Sequence, residues 1–124
     1  MNENAKILIV DDDPFTRKLL NRILNQLGFH SILEADDGTA AWDILENETV
    51  DLVIADWVMP QMSGLELLKK IRSGETTNMT PFIMLTGQAD KENVLEAVNS
   101  GASNYIVKPF SAETIRDKIG SIFM

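Results

Sequence analysis

"DLVIADWVMPQMSG", residues 51–64, decides how the rest of the chain is read. Leu52 to Ala55 are apolar without a break, which suits a strand covered on both faces, and such strands belong to parallel sheets flanked by helices. The run ends on a carboxylate, Asp56, and Pro60 stiffens the turn beyond it. Ser63 and Glu66 then stand at capping-box spacing ahead of the periodic apolar residues Leu67, Leu68 and Ile71. The unit is a buried strand, an acid at its end, and a helix.

The same unit recurs on either side. The runs "AKILIV" (5–10), "SILEA" (31–35), "PFIML" (81–85) and "NYIVK" (104–108) read as further strands. Helical periods separate them. Asp13 as N-cap, Pro14 at N1 and Gly28 at C′ bracket a first helix whose apolar stripe is Phe15, Leu19, Leu20, Ile23, Leu24 and Leu27. "DGTAAWDILEN" forms a second, with Ala41, Ile44 and Leu45 inward. "DKENVLEAVNSG" forms a fourth that stops at Gly101, and "SAETIRDKIGSIF" a fifth with Ile115, Ile119 and Ile122 aligned. Five strand-then-helix units with right-handed crossovers predict an α/β fold: a flavodoxin-like, doubly wound, five-stranded parallel sheet of order 2-1-3-4-5 with five helices.

At 124 residues the chain suits one domain, 1–124, with one core. It has no cysteine, which excludes disulfides and thiolate metal sites. A formal net charge of −8 disfavours phosphate backbones and anionic lipid, so neither nucleic acid nor membrane is an expected partner. The N-terminus lacks signal-peptide character and no stretch reaches membrane-spanning length, so a cytoplasmic location is expected. A monomer is expected too, because no further apolar face remains once the helices pack.

Ligands of such sheets bind beyond the carboxyl ends of the strands, between strands 1 and 3. Asp11, Asp12 and Asp13 follow strand 1, Asp56 follows strand 3, Thr86 and Gly87 follow strand 4, and Lys108 and Pro109 close strand 5. At about 4 Å and an effective dielectric near 20, each carboxylate pair costs on the order of 4 kcal/mol. Lys108 offsets part of that, and a hard divalent cation such as Mg²⁺ offsets more. A metal, carboxylates, a hydroxyl and an ammonium around one point suit phosphoryl transfer, with a carboxylate as nucleophile and Thr86 and Lys108 on the phosphoryl oxygens. Gly87 would leave room for close backbone approach. Taken singly, "DDDP" is an ordinary helix cap and a lone strand-end Asp an ordinary turn residue. Their joint placement on four strand ends carries the site.

"ILIVDDDP", "ADWVMPQMSGLELLKKIR", "FIMLTG" and "GASNYIVKPF" together resemble the response-regulator receiver domains of two-component signalling, in order and spacing over essentially the whole chain. Within that family the chain looks most like the single-domain chemotaxis regulators. The resemblance implies that Asp56 accepts a phosphoryl group from a histidine kinase. Asp11, Asp12, Asp56 and the backbone carbonyl of Val58 would hold Mg²⁺, and Thr86 and Lys108 would bind the phosphoryl group. Asp13 remains the helix cap. Tyr105 would be the aromatic switch residue, turning in behind Thr86 and reshaping the face of helix 4, strand 5 and helix 5, where Lys91, Val94 and Lys118 also lie. The downstream partner implied is a separate protein, the flagellar motor switch in the chemotaxis case, because no output domain is expected after helix 5.

Two positions depart from the chemotaxis pattern: Val58 replaces a usual Asn, and Gln88 a usual Glu. Slower self-dephosphorylation is expected, and Gln88 counts against an auxiliary phosphatase that needs an acid there. Three alternatives remain: a phosphorelay intermediate, a binding module independent of phosphorylation, and a Mg²⁺-dependent phosphatase with an Asp nucleophile. Val58 stands where the last would want a second Asp. Trp57 adjoins the site, and His30, the single histidine, reads as a surface residue.

Overall fold

In the computed structural model, which describes residues 4–87 and 91–123, strands and helices alternate strictly. They are β1 (Lys6–Val10), α1 (Pro14–Gln26), β2 (Ser31–Ala35), α2 (Gly38–Asn47), β3 (Leu52–Asp56), α3 (Gly64–Ser73), β4 (Phe82–Thr86), α4 (Lys91–Asn99), β5 (Asn104–Val107) and α5 (Ala112–Phe123). The strands pair in parallel in the order β2-β1-β3-β4-β5, as expected. Among the described residues no helix is long and apolar enough to cross a membrane.

The period-two alternation of strand side chains splits the core in two. Leu8, Val10, Val53, Ala55, Phe82 and Met84 meet α2, α3 and α4 on one face. Ile7, Ile9, Leu52, Ile54, Ile83 and Leu85 meet α1 and α5 on the other. A fully buried Leu or Ile contributes about 1.5–3 kcal/mol. β1, β3 and β4 are buried nearly throughout and supply most of this, which leaves the edge strands β2 and β5 able to carry polar residues.

The helix ends follow the local chemistry of the sequence. Asp13 caps α1 through the Phe15 N–H at 3.0 Å, and Gly28 takes a left-handed φ of 100° just beyond the helix. The Ser63–Glu66 capping box is made in both directions, each bond 3.1 Å.

One expectation fails. The apolar stripe of α1 is not buried as a unit: Phe15 is 81% exposed and Leu19 45%. The helical period explains this. Leu20, Ile23, Leu24 and Leu27 fall on one arc, whereas Leu19 lies about 100° and Phe15 about 140° from Leu20 around the helix. Both residues therefore face away from the sheet.

Candidate functional site

Strand register assembles the acidic end of the sheet. Val10 pairs with Ala55, so Asp11 and Asp56 leave adjacent strands one residue past the same rung. Asp56 pairs with Leu85, and Thr86 with Val107, which brings Thr86 and Lys108 to the same edge. β3 and β4 each run one residue past the apolar stretch and include Asp56 and Thr86. The ladder continues there, because Trp57 N–H donates to the Leu85 carbonyl at 2.9 Å and Lys108 N–H to the Thr86 carbonyl at 2.8 Å.

Asp11 is wholly buried. Its Oδ1 accepts the Asp13 N–H at 2.9 Å and its Oδ2 accepts Lys108 Nζ at 3.0 Å. The same ammonium stands 3.2 Å from Asp56 Oδ2. Asp12 is exposed at the mouth. One carboxylate oxygen from each of Asp11, Asp12 and Asp56 lies within 4.8 Å of the others. Burial first, then the charge of Asp11, pushes the Asp56 carboxyl above its ordinary value, and Lys108 only partly reverses this. Burial by itself would lower the Lys108 ammonium, but the hydrogen bond to Asp11 and the two carboxylate charges outweigh it and hold it above its ordinary value. Three acids against one ammonium leave excess negative charge. An all-oxygen donor set at this spacing fits a hard divalent cation.

Thr86 is buried and lines a cavity of about 200 Å³ with Asp56, Trp57, Val58, Gly87 and Asn93. The Val58 side chain is 76% exposed on its rim. A Cβ on Gly87 would meet no atom of the described residues within 4 Å, so packing against them does not require a glycine there. A larger cleft, about 260 Å³, lies at the opposite end of the sheet and contains none of these residues.

The glycine that packing does require is Gly64. A Cβ there would overlap the carbonyl oxygen of Asp56 and stand 3.0 Å from Met84 Sδ. The first turn of α3 thus rests directly on the backbone of Asp56. Gly64 N–H also donates to the Trp57 carbonyl at 2.9 Å. Gly64→Ala is expected to cost about 1–3 kcal/mol through overpacking. An unchanged midpoint in urea unfolding would show that α3 slides freely.

Tyr105 is half-buried on edge strand β5, against the α2–α3–α4 core. Lys118 Nζ lies 4.9 Å from its ring centroid and donates to Asn104 Oδ1 at 3.1 Å. His30 is exposed and bonds Asn25, as a surface residue would. The Lys108–Pro109 peptide is cis. Gln88 and the side chain of Lys91 lie outside the described residues.

Some residues around the site carry no local signal in the sequence. Arg17 Nη1 donates to the Asp11 carbonyl at 2.7 Å while its Nε pairs with Glu34 at 3.2 Å, which ties the acidic loop to β2. Leu19, Pro109 and Phe110 line a groove of about 350 Å³ with Thr16 and Lys108, and Phe15 is exposed on the same helix. A helical Asn such as Asn93 shows nothing in its neighbourhood of sequence that would place it beside Asp56.

The family model described as "Response regulator receiver domain" matches residues 7–120. The chain is 44% identical over 123 residues to the chemotaxis protein CheY-3 of Vibrio cholerae, an alignment that spans 99% of this chain and 95% of that one. It is 41% identical over 118 residues to the chemotaxis protein CheY of Pseudomonas aeruginosa, spanning 95% of each chain. The solved structure of the chemotaxis response regulator CheY4 of Vibrio cholerae superposes with a TM-score of 0.90 at 32% identity, covering 96% of this chain and 98% of that one. A receiver-family match over the sheet and all five helices, with chemotaxis regulators similar over nearly the full length, places this chain in the response regulator receiver domain family.

Proposed function

We propose that the chain is a phosphorylation switch of the chemotaxis type. Asp56 takes a phosphoryl group from the phosphohistidine of a histidine kinase, and the modified domain then binds a separate downstream protein, the flagellar motor switch in the chemotaxis case. The observation that carries this reading is Lys108 bridging Asp11 and Asp56 within a cluster of three carboxylates. Transfer forms a bond from an Asp56 carboxylate oxygen to phosphorus as the donor's N–P bond breaks. The histidine nitrogen keeps the electron pair. Little covalent help is needed, so positioning and charge neutralisation do the catalysis.

Asp11, Asp12, Asp56 and the Val58 carbonyl would hold Mg²⁺, which when bound supplies positive charge to phosphoryl oxygens. Lys108, whose ammonium is favoured by its carboxylate partners and stands 3.2 Å from Asp56 Oδ2, is within reach of a phosphoryl oxygen on Asp56. The Thr86 hydroxyl, which shares the cavity with Asp56, donates to a second phosphoryl oxygen. Tyr105 then moves inward behind Thr86, which shifts a population between two forms of the α4–β5–α5 face. Leu19, which lines a groove with Lys108, and Phe15, exposed on the same helix, offer the donor an apolar foothold.

Incubation with acetyl phosphate and Mg²⁺, followed by intact mass, tests the reading. One phosphoryl group per chain is the expected result, and none when EDTA replaces Mg²⁺. Continuous release of phosphate over many cycles would mark an enzyme instead. No uptake, with no response of Trp57 fluorescence to beryllofluoride, would mark a binding module.

Val58 bears on the lifetime of the phosphorylated form. An exposed valine cannot orient a water molecule, so Val58→Asn is expected to speed loss of the phosphoryl group by about fivefold, the effect of one added hydrogen bond in the transition state. The check is decay of the phosphorylated mass after the donor is removed. A decay equal to that of the parent chain would remove residue 58 from the chemistry.

A further inference from the structure

Hydrolysis of an aspartyl phosphate needs a water molecule held in line with the bond that breaks. Lys108 stands against both Asp11 and Asp56. The cavity of about 200 Å³ beside Asp56 is lined by neither Lys108 nor Asp11, and a water molecule claims only about 30 Å³ of liquid volume, so there is space for one beside a phosphoryl group. Its lining limits what can orient that water. Among the side chains, Val58 is apolar, Gly87 has none, Trp57 has an indole donor and no acceptor, and Asp56 carries the phosphoryl group. The Thr86 hydroxyl is engaged by a phosphoryl oxygen in the mechanism above. Among the described side chains that line the cavity, Asn93 is the one left whose chemistry supplies both a donor and an acceptor.

Asn93 lies in the first turn of α4 and is half-buried. Its amide offers both a donor and an acceptor, as orienting a water toward phosphorus demands. Asparagine is a mediocre helix former, so helix propensity alone does not explain its place there.

On the reading that Asp56 is phosphorylated, we propose that Asn93 positions the water that removes the phosphoryl group and so sets the lifetime of the active state. The water oxygen bonds to phosphorus as the P–O bond to Asp56 breaks. The Asp56 carboxylate leaves with the electron pair, and both protons of the water leave on inorganic phosphate. Asn93 acts through the water and forms no covalent bond.

The experiment loads the full chain with acetyl phosphate and Mg²⁺, removes the donor, and follows decay of the phosphorylated mass in Asn93→Ala, Asn93→Leu and Asn93→Ser. Leu keeps the volume of the amide without its hydrogen bonds, and Ser restores a hydrogen-bonding group. Decay is expected to slow about fivefold in Ala and Leu and to recover part-way in Ser, as for one lost hydrogen bond. Mg²⁺ titrations read by Trp57 fluorescence supply the structural control, and their midpoints should hold within about twofold. Decay like the parent's in Ala and Leu overturns the proposal. So does faster decay, or a Mg²⁺ midpoint that moves in step with the decay rate, since either assigns Asn93 a shielding or a purely structural part. A parent chain that takes up no phosphoryl group fails the reading of Asp56 itself and brings this proposal down with it. That outcome is distinct from normal loading with unaltered decay.

Discussion

Asp56→Asn is expected to abolish uptake of a phosphoryl group and, in the same protein, to raise the melting temperature at neutral pH. The first effect is chemical: an amide of the same shape is not a nucleophile. The second follows from the surroundings of the carboxylate. Burial, then the charge of Asp11, raises the Asp56 pKa above its ordinary 3.8, with Lys108 opposing. An acid whose pKa is higher folded than unfolded binds its proton more tightly in the native state. Its ionisation therefore works against folding, an effect absent below the unfolded pKa and complete above the folded one. Wherever Asp56 is ionised that cost is present, and the neutral amide removes it. A higher melting temperature than the parent's is expected in EDTA. The gap between variant and parent should close as acid protonates Asp56. Added Mg²⁺ should stabilise the parent more than the variant, since a ligand that binds only the native state stabilises it by mass action. A variant that melts below the parent at neutral pH would mean that pairing with Lys108 outweighs burial. A variant that still gains the phosphoryl mass would move the acceptor elsewhere.

Lys108→Ala is expected to do the reverse to stability. Lys108 Nζ holds Asp11 at 3.0 Å and Asp56 at 3.2 Å, and Asp11 has no exposed surface. Removing the cation strands a buried carboxylate. A fully buried pair broken this way costs about 3–5 kcal/mol. Lys108 is 27% exposed and water can reach its place, which brings the expected loss to about 2–3 kcal/mol. The sign with pH is fixed by direction. The ammonium pKa is raised on folding, so its contribution is complete below the unfolded value of 10.5 and fades as pH rises through the folded one. The parent's advantage in urea unfolding should thus be full at neutral pH and shrink in strong alkali. With the competing cation gone, Mg²⁺ should bind more tightly, read as a lower midpoint of the Trp57 fluorescence titration. Equal stability in EDTA, or weaker Mg²⁺ binding, would show that Lys108 does not balance the acidic cluster.

The parts of the fold legible in the sequence are those set by neighbours along the chain. Short β-rich runs, three of them apolar nearly throughout, marked the strands, and Asp13, Pro14, Gly28 and the Ser63–Glu66 pair marked helix ends through contacts only a few residues long. The gathering of Asp11, Asp12, Asp56 and Lys108 was also legible, because strand order together with strand-end positions already implies one edge. Phe15 and Leu19 were misjudged for a related reason. An apolar list does not say how wide an arc the sheet covers, and α1 buries only the arc around Leu20 and Leu24.

Sequence by itself determined which residues could form strands, where helices begin and stop, and which polar groups stand at strand ends, since these rest on backbone preference, side-chain period and local capping. Only the tertiary structure decided the rest. It alone could seat the first turn of α3 on the Asp56 carbonyl through Gly64, bring Arg17 to the Asp11 backbone, and place Asn93 of α4 in the lining of the Asp56 cavity. Each of these contacts depends on the distance and rotation between packed elements. Those quantities come from how the two cores fill space against the sheet, and no short stretch of chain contains them.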